Sequence, residues 1–186
     1  MSKPPPPPSG PSYFWVPDNH DVWSLGVQTI EGLLPNGCIR VELMHNKKSL
    51  DLSATHLIPT SSYFTDQHVC STVEDLVSLP EVNQPAILFT TKARFFNKKI
   101  YTSLGQVLML VNPFEKIHEY YGEDVISKYK NPYAENLPSH LYLVPSRAFN
   151  AMITFQRNQS ILISGTAITS VNILHVAYAP TFLSIH

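Results

Sequence analysis

Charge is scarce in this chain. Of 186 residues only 15% are Asp, Glu, Lys or Arg, and the net charge is -1, where a soluble domain ordinarily carries roughly a quarter charged residues. Without a basic surplus nothing is available to neutralise a run of phosphates, so a nucleic-acid-binding surface is excluded. Cysteine is scarcer still. Cys38 and Cys70 stand far apart with no C-x-x-C pair, which reads as two reduced thiols rather than a disulfide or a zinc site. The 8 histidines are scattered, with no H-x-x-x-H spacing and no Cys/His cluster, so no metal site is expected. The opening residues, MSKPPPPPSGPS, lack the apolar stretch of a signal peptide, and the expected compartment is the cytoplasm. The sequon Asn158-Gln159-Ser160 should then stay unmodified.

What is present is a 44% hydrophobic composition, enough for one domain or two small ones with a real core. Residues 1–11 are a proline tract that makes no hydrogen-bonded element. They read as a disordered arm, or as a docking peptide for an SH3- or WW-type partner. Over residues 12–60 the pattern turns to short aromatic and branched runs, YFWVPD, VWSLGVQTIE and CIRVELM. Asp18-Asn19-His20 and Leu34-Pro35-Asn36-Gly37 separate them as turn signals. Such strands predict a small antiparallel barrel of SH3-like type, with Trp15 and Trp23 as packing residues rather than a ligand platform.

Residues 61–72 read as a linker. Thr72 is the expected cap of a short helix, with Asp75 three residues on, and Pro80 ends it. Pro85 suits the start of a longer helix, AILFTTKARFFNKK. Its helical spacing puts Ile87, Leu88, Thr91, Phe95 and Lys98 on one face and spreads Lys92, Arg94 and Lys99 over the others. Lys98 and Lys99 also suit the C-terminal dipole. IYTSLGQVLMLV, residues 100–111, reads as one long strand, apolar on both faces in its second half, as a central strand of a covered sheet would be. Pro113 stops it. Further helices are expected over Tyr120 to Lys130 and from Ser139 towards Gln156, then a strand over Ser160 to Ile163. The strand–helix–helix–strand order is an α/β pattern.

Several motifs follow one another in order: Val73-Glu74-Asp75-Leu76, Gln84-Pro85-Ala86-Ile87-Leu88, Ile100-Tyr101-Thr102 and Asn112-Pro113-Phe114. Pro138-Ser139-His140-Leu141-Tyr142, Ala148-Phe149-Asn150-Ala151-Met152 and the run Arg157 to Gly165 complete the series. Residues 73–165 so arranged resemble the start of the myosin motor (head) domain. Tyr13 to Pro59 resembles the small SH3-like subdomain that precedes many myosin heads, with Trp15-Val16-Pro17-Asp18 in its first strand. The resemblance implies a mixed α/β fold, an SH3-like barrel followed by the incomplete N-terminal part of a P-loop motor domain. It implies a cytoskeletal, actin-based ATPase that uses ATP and Mg²⁺, with actin filaments as partner.

The family's purine-binding loop is N-P-x-x-x-x-x-x-Y, and Asn112, Pro113 and Tyr120 match it. By themselves Asn112-Pro113 mark only a turn. The spacing has a physical use, because a proline-stiffened turn at a strand's C-terminal end offers an amide to a base while a tyrosine closes over it. The phosphate loop of the family, G-E-S-G-A-G-K-T, begins here with Ser164 and Gly165 and then breaks into Thr166-Ala167-Ile168-Thr169-Ser170-Val171-Asn172. Ile168 and Val171 resist the positive φ of a phosphate nest. Val171 also stands where the lysine should be, so tight Mg·ATP binding is not expected.

No Asp, Glu, Lys or Arg occurs from Asn158 to His186. The stretch is too short and too interrupted, by Pro180 among others, to read as a membrane span. Residues 166–186 read instead as a divergent tail, through a retained intron, a frame shift or an alternative exon. Pro145 should kink or delay the helix in which it falls. Switch loops, actin-binding cleft and lever arm do not fit in the tail, so a truncated motor fragment, inactive alone, with unpaired strand edges and exposed apolar surface is expected. Two other readings compete: a non-catalytic interaction module made of barrel and proline arm, and a degenerate nucleotide binder keeping only the adenine pocket.

Overall fold

The computed structural model describes residues 11–115, 117–131, 133 and 137–165. The proline arm up to residue 10 and the tail from Thr166, Val171 and Asn172 included, lie outside the described residues. Among those described, 11–70 with 80–90 form one compact unit and 71–79 with 91–165 a second.

In the first unit, β1 (Tyr13–Asp18), β2 (Val22–Gln28), β3 (Cys38–Leu43), β4 (Ser49–Ser53) and β5 (Ile58–Thr60) form an antiparallel sheet in the order β4-β3-β2-β1-β5. Five short strands in that arrangement are consistent with the SH3-like barrel read from the sequence. β4 and β5 escaped that reading because SLDLS and IPT are brief and polar. The strand alternation sends Val16, Val41 and Leu43 into one core, which Leu57 joins from the turn before β5, with Phe14, Ile39, Leu50 and Leu52 packed around it. Trp15, next in the chain to Val16, is also fully buried, its ring against Phe64 at 5.1 Å and Phe89 at 5.3 Å. It is a core residue, as expected, while Trp23 is half-buried. Gly26 is required by close approach, since a Cβ there would run into Val41 Cγ1 and lie 3.2 Å from Val16 Cγ2.

The supposed linker is structured. A 3₁₀ turn over Ser62–Thr65 buries Phe64, and α1 (Gln67–Thr72) follows. Asp66 starts α1 by accepting from the amides of His68 at 2.8 Å and Val69 at 3.3 Å. No short helix opens at Thr72. Asp75 is itself the cap, of a 3₁₀ turn over Leu76–Ser78, accepting from Val77 N at 3.1 Å.

α2 (Gln84–Phe96) is capped by Asn83, whose Oδ1 accepts from Ala86 N at 2.9 Å, with Pro85 in its first turn. Its buried face is Ala86, Thr90, Ala93 and Arg94, not the one expected, and Leu88 is exposed. It ends in a Schellman turn: Lys98 N donates to Phe95 O at 2.9 Å, Lys99 N to Arg94 O at 3.0 Å, and Lys98 takes φ 61°.

Residues 100–111 are not one strand. β6 (Tyr101–Leu104) and β7 (Val107–Leu110) form a two-stranded hairpin, Leu104 paired with Val107, around Gly105 at φ +59°. Gly-Gln is a two-residue hairpin turn of the kind that places glycine first, and the apolar run on either side had hidden it. Beyond lie a 3₁₀ turn over His118–Tyr120, α3 (Glu123–Lys128) and α4 (Leu143–Phe155). Pro145 is the third residue of α4, so the helix is delayed until the proline falls in the first turn, where an amide would lack an intrahelical acceptor anyway. Ser139 is not its cap. The strand expected over Ser160 to Ile163 is absent: those residues are exposed and without regular structure, with no ladder partner among the described residues.

Candidate functional site

The centre of the second unit is polar. Arg94, 1% exposed, donates from Nε to Thr102 Oγ1 at 2.8 Å and from Nη2 to Tyr101 O at 2.9 Å. Its Nη1 reaches Ser71 O at 3.2 Å and Val73 O, and Nη2 meets Glu74 Oε1 at 3.1 Å. One guanidinium thus joins α2, the 71–74 segment and β6, a use of its planar fork that lysine could not reproduce. Glu74 carries the network on, its Oε2 accepting from Ser139 N at 2.9 Å and its carbonyl from Ser139 Oγ at 2.9 Å. Ser103 Oγ lies 2.7 Å from Ser139 Oγ. The helical spacing had put Arg94 on an outer face. Its neighbours Ala93 and Thr90 are small enough to let it in, which a count of apolar positions does not register.

This frame holds the loop that leaves β7. The hairpin's last tie is Val111 N to Ile100 O at 3.1 Å, after which Asn112 Oδ1 accepts from Phe114 N at 2.9 Å across Pro113. That side-chain turn needs an Asx residue, and it leaves Phe114 91% exposed. Tyr120 closes the loop eight positions after Asn112. Its hydroxyl donates to Lys98 O at 2.7 Å, in the turn just after α2. Lys98 is in turn ion-paired with Glu115 in the middle of the loop. The Tyr120 ring stands edge-on to Tyr101 with centroids 5.3 Å apart. Burial pushes its phenol pKa up.

Behind Tyr120 lies His140, 2% exposed, ringed by tyrosines. It stacks on Tyr129 at 4.8 Å and lies 4.8 Å from the rings of Tyr101 and Tyr142. Its Nδ1 accepts from Tyr142 N at 3.1 Å, so the proton sits on Nε2, which points at Tyr120 O at 3.0 Å. Burial holds its pKa down to about 4, the hydrogen bond to Tyr120 opposing, so the ring is neutral near pH 7. Burial raises the Tyr129 phenol to about 12 and the Tyr101 phenol further. His140 stood in the sequence only as one letter of the Pro-Ser-His-Leu-Tyr motif. Nothing in its spacing announced burial among aromatics.

Asn112, Pro113 and Tyr120 therefore belong to one loop, pinned at its start, middle and end. Ser164 and Gly165 lie in exposed chain outside any helix or strand, and among the described residues no atom beyond the adjoining ones comes within 4 Å of where a Cβ on Gly165 would stand. Cys38 and Cys70 are free thiols, the second pushed up to about 11 by burial. Among the described residues no group of three His, Cys, Asp or Glu is arranged to hold a metal, and no helix is long and apolar enough to cross a membrane.

The chain is 32% identical over 155 residues to unconventional myosin-Va of Homo sapiens, which covers 81% of this chain and 8% of that one. It is 28% identical over 162 residues to myosin-4 of Saccharomyces cerevisiae, 81% of this chain and 11% of the relative. With myosin-51 of Schizosaccharomyces pombe the identity is 39% over 92 residues, 49% of this chain and 6% of the other. The chain thus spans about a tenth of the length of the curated relatives it matches. The model of the myosin head (motor domain) family matches residues 73–169, from the acidic opening through Ser139-His140 and past Gly165. The chain belongs to the myosin head family, as a portion from the N-terminal side of the motor domain.

Proposed function

We propose that this chain carries the base-side wall of the nucleotide site of an actin-based motor ATPase, without a working phosphate loop. Asn112, Pro113 and Tyr120 are its purine contacts, and Ser164-Gly165 is the stub at which the phosphate loop would start. The domain layout that goes with this is a barrel over 12–60, a connection over 61–72, the motor portion over 73–165 and a divergent tail over 166–186. Actin filaments are the partner and the cytoskeleton the location in which such a motor works.

The observation that carries the reading is the double anchoring of the 112–120 loop through Asn112 Oδ1 and the Tyr120 hydroxyl. A loop built this way presents its groups in fixed positions at no further ordering cost, which is what a base contact requires. The donor set after Gly165 does not fit Mg·ATP. Val171 brings no charge, and an ion pair at ~4 Å with an effective dielectric near 20 is worth about 4 kcal/mol before desolvation. Asn172 lacks the hydroxyl that holds Mg²⁺ in such loops. This chain therefore neither turns over ATP nor moves actin.

Titration of the purified chain with Mg·ATP and with adenosine tests both halves. Adenosine should bind weakly and lose affinity with Asn112→Ala or Tyr120→Ala, while Mg·ATP gains nothing over adenosine. Micromolar Mg·ATP affinity with turnover would sink the proposal, and indifference of adenosine to both substitutions would sink the base-side assignment.

A further inference from the structure

The base-side reading leaves one question: what holds Tyr120 in place when no ligand is bound. Its hydroxyl anchor is Lys98 O, in the turn after α2, where the lysine is itself largely exposed and in αL conformation. That bond, with the contact of the same hydroxyl to the Ile100 backbone, holds the tip of the side chain and leaves the main chain at its root to be set separately. The second anchor is of another kind. His140 is 2% exposed, and its Nε2–H points at the main-chain carbonyl of Tyr120 at 3.0 Å.

We propose that His140 is a positioning residue for the 117–121 segment, setting the Tyr120 backbone, and through it the ring, by the Nε2–H to carbonyl bond. Three features make the imidazole suited to this. Its tautomer is imposed, because Tyr142 N donates to Nδ1 at 3.1 Å and leaves only Nε2 to carry the proton. Its plane is imposed by the stack on Tyr129, 22° from parallel at 4.8 Å. Its far side is walled by Tyr101 and Tyr142, so the ring has nowhere to turn. The element order puts His140 just before α4, while Tyr120 ends a turn on the other side of α3. The bond therefore closes a loop across α3 and adds a directed tie to the apolar packing of Ile117 on Leu141 and of Tyr121 on Tyr142 and Leu143.

The groups facing the imidazole are Tyr101 on β6, Tyr120 on its own turn, Tyr129 after α3 and Tyr142 before α4, all neutral phenols near pH 7. Among the described residues, the charged groups acting on these rings are Glu74 and Arg94 at Tyr120 and Glu74 at Tyr129. The role in nucleotide binding rests on the base-side reading. The role in holding the segment does not.

A pair of substitutions separates the bond from the bulk. In His140→Gln the carboxamide nitrogen stands near the place of Nε2 and can still donate to Tyr120 O. In His140→Asn the carboxamide oxygen can stand near Nδ1 and accept from Tyr142 N, but the nitrogen is too short to reach Tyr120. Amide hydrogen exchange over residues 117–121 in the full chain is the primary measurement. It should quicken about tenfold in H140N, the loss of one net hydrogen bond, and stay within about twofold of wild type in H140Q. The β6–β7 amides should be alike in both, which a merely structural defect would not give. Adenosine affinity is the second readout, and should fall about tenfold in H140N only. Equal exchange in the two variants overturns the positioning role whatever adenosine does. A split in exchange with no adenosine binding by the wild type upholds that role and overturns the base-side assignment instead.

Discussion

Arg94→Met is the substitution that asks most of the second unit. Methionine keeps most of the stem and fills nearly the same space, so the loss is polar rather than a cavity. Of the acceptors that Arg94 serves, Ser71 O keeps a second donor in Lys99 Nζ at 3.1 Å. Thr102 Oγ1 can rotate and donate elsewhere. Val73 O and Tyr101 O are the ones left short, the latter in a residue 1% exposed. An orphaned buried acceptor costs ~1–3 kcal/mol. The broken pair with Glu74 adds less than ~1 kcal/mol, because the Glu74 side chain is 41% exposed and water replaces the partner. The expected loss is ~3–5 kcal/mol, a large share of the ~5–15 kcal/mol that ordinarily holds a domain together. In urea, at a slope of about 2 kcal/mol per molar, the midpoint followed by tyrosine near-UV dichroism should fall by roughly 2 M. Arg94→Lys should recover part of this and no more, since an ammonium cannot serve carbonyls on three sides at once. A midpoint for R94M no lower than for Thr102→Val, which removes a single acceptor, would refute the account of Arg94 as the tie between α2, 71–74 and β6.

His140 gives the second unit a pH dependence: its pKa is about 4 folded against 6.5 unfolded, so the unfolded chain binds the extra proton between those values. Stability should be at full value above pH 6.5, fall as pH drops through that window by up to ~3 kcal/mol, and level off below pH 4, with the slope missing in H140Q. Lys98→Gly should raise stability by ~0.5–1 kcal/mol, since glycine takes φ 61° without strain and the exposed pair with Glu115 contributes little; thermal melting checks this. Gly26→Ala should destabilise the first unit by ~1–3 kcal/mol through collision with Val41, and Gly26→Ala with Val41→Ala should cost less than the sum of the two singles in a double-mutant cycle.

The parts of the fold legible in the sequence were those written in local chemistry. YFWVPD and CIRVELM carry β-branched and aromatic residues between turn signals; β1 falls on the first residue for residue, and β3 on the second up to Leu43. Pro85 marked the first turn of α2, and Pro145 the delay of α4. Apolar continuity conceals the reversal at Gly105 inside IYTSLGQVLMLV. On α2 the helical spacing of Ile87, Leu88 and Phe95 does not mark the inner face, because small Ala86, Thr90 and Ala93 are buried there beside a guanidinium. At the candidate site Asn112, Pro113 and Tyr120 were legible only through the family's spacing. Arg94 acts on Ser71, 23 residues away, and His140 on Tyr120, 20 away, and no local pattern encodes those distances.

The polar construction of the second unit bears on where its apolar surface lies. Arg94, Glu74 and Ser139 bind together segments that an ordinary core would hold by side-chain packing. The apolar clusters beside them are small, Ile100, Tyr101, Ile117 and Leu141 in one and Tyr129, Tyr142 and Leu143 in the other. The later half of α4 belongs to neither: Met152, Ile153 and Phe155 are exposed there, as are Ile161, Leu162 and Ile163 beyond it. A strand of the composition of residues 160–163 is stable only between neighbours that satisfy both of its edges. The family match runs through this stretch to residue 169, so the family resemblance continues past the last residue that joins either cluster. Packing and recognition therefore part company among the described residues. Up to Leu143 residues that mark the family also build the apolar clusters of the unit, and from Met152 to Gly165 they mark it while staying exposed.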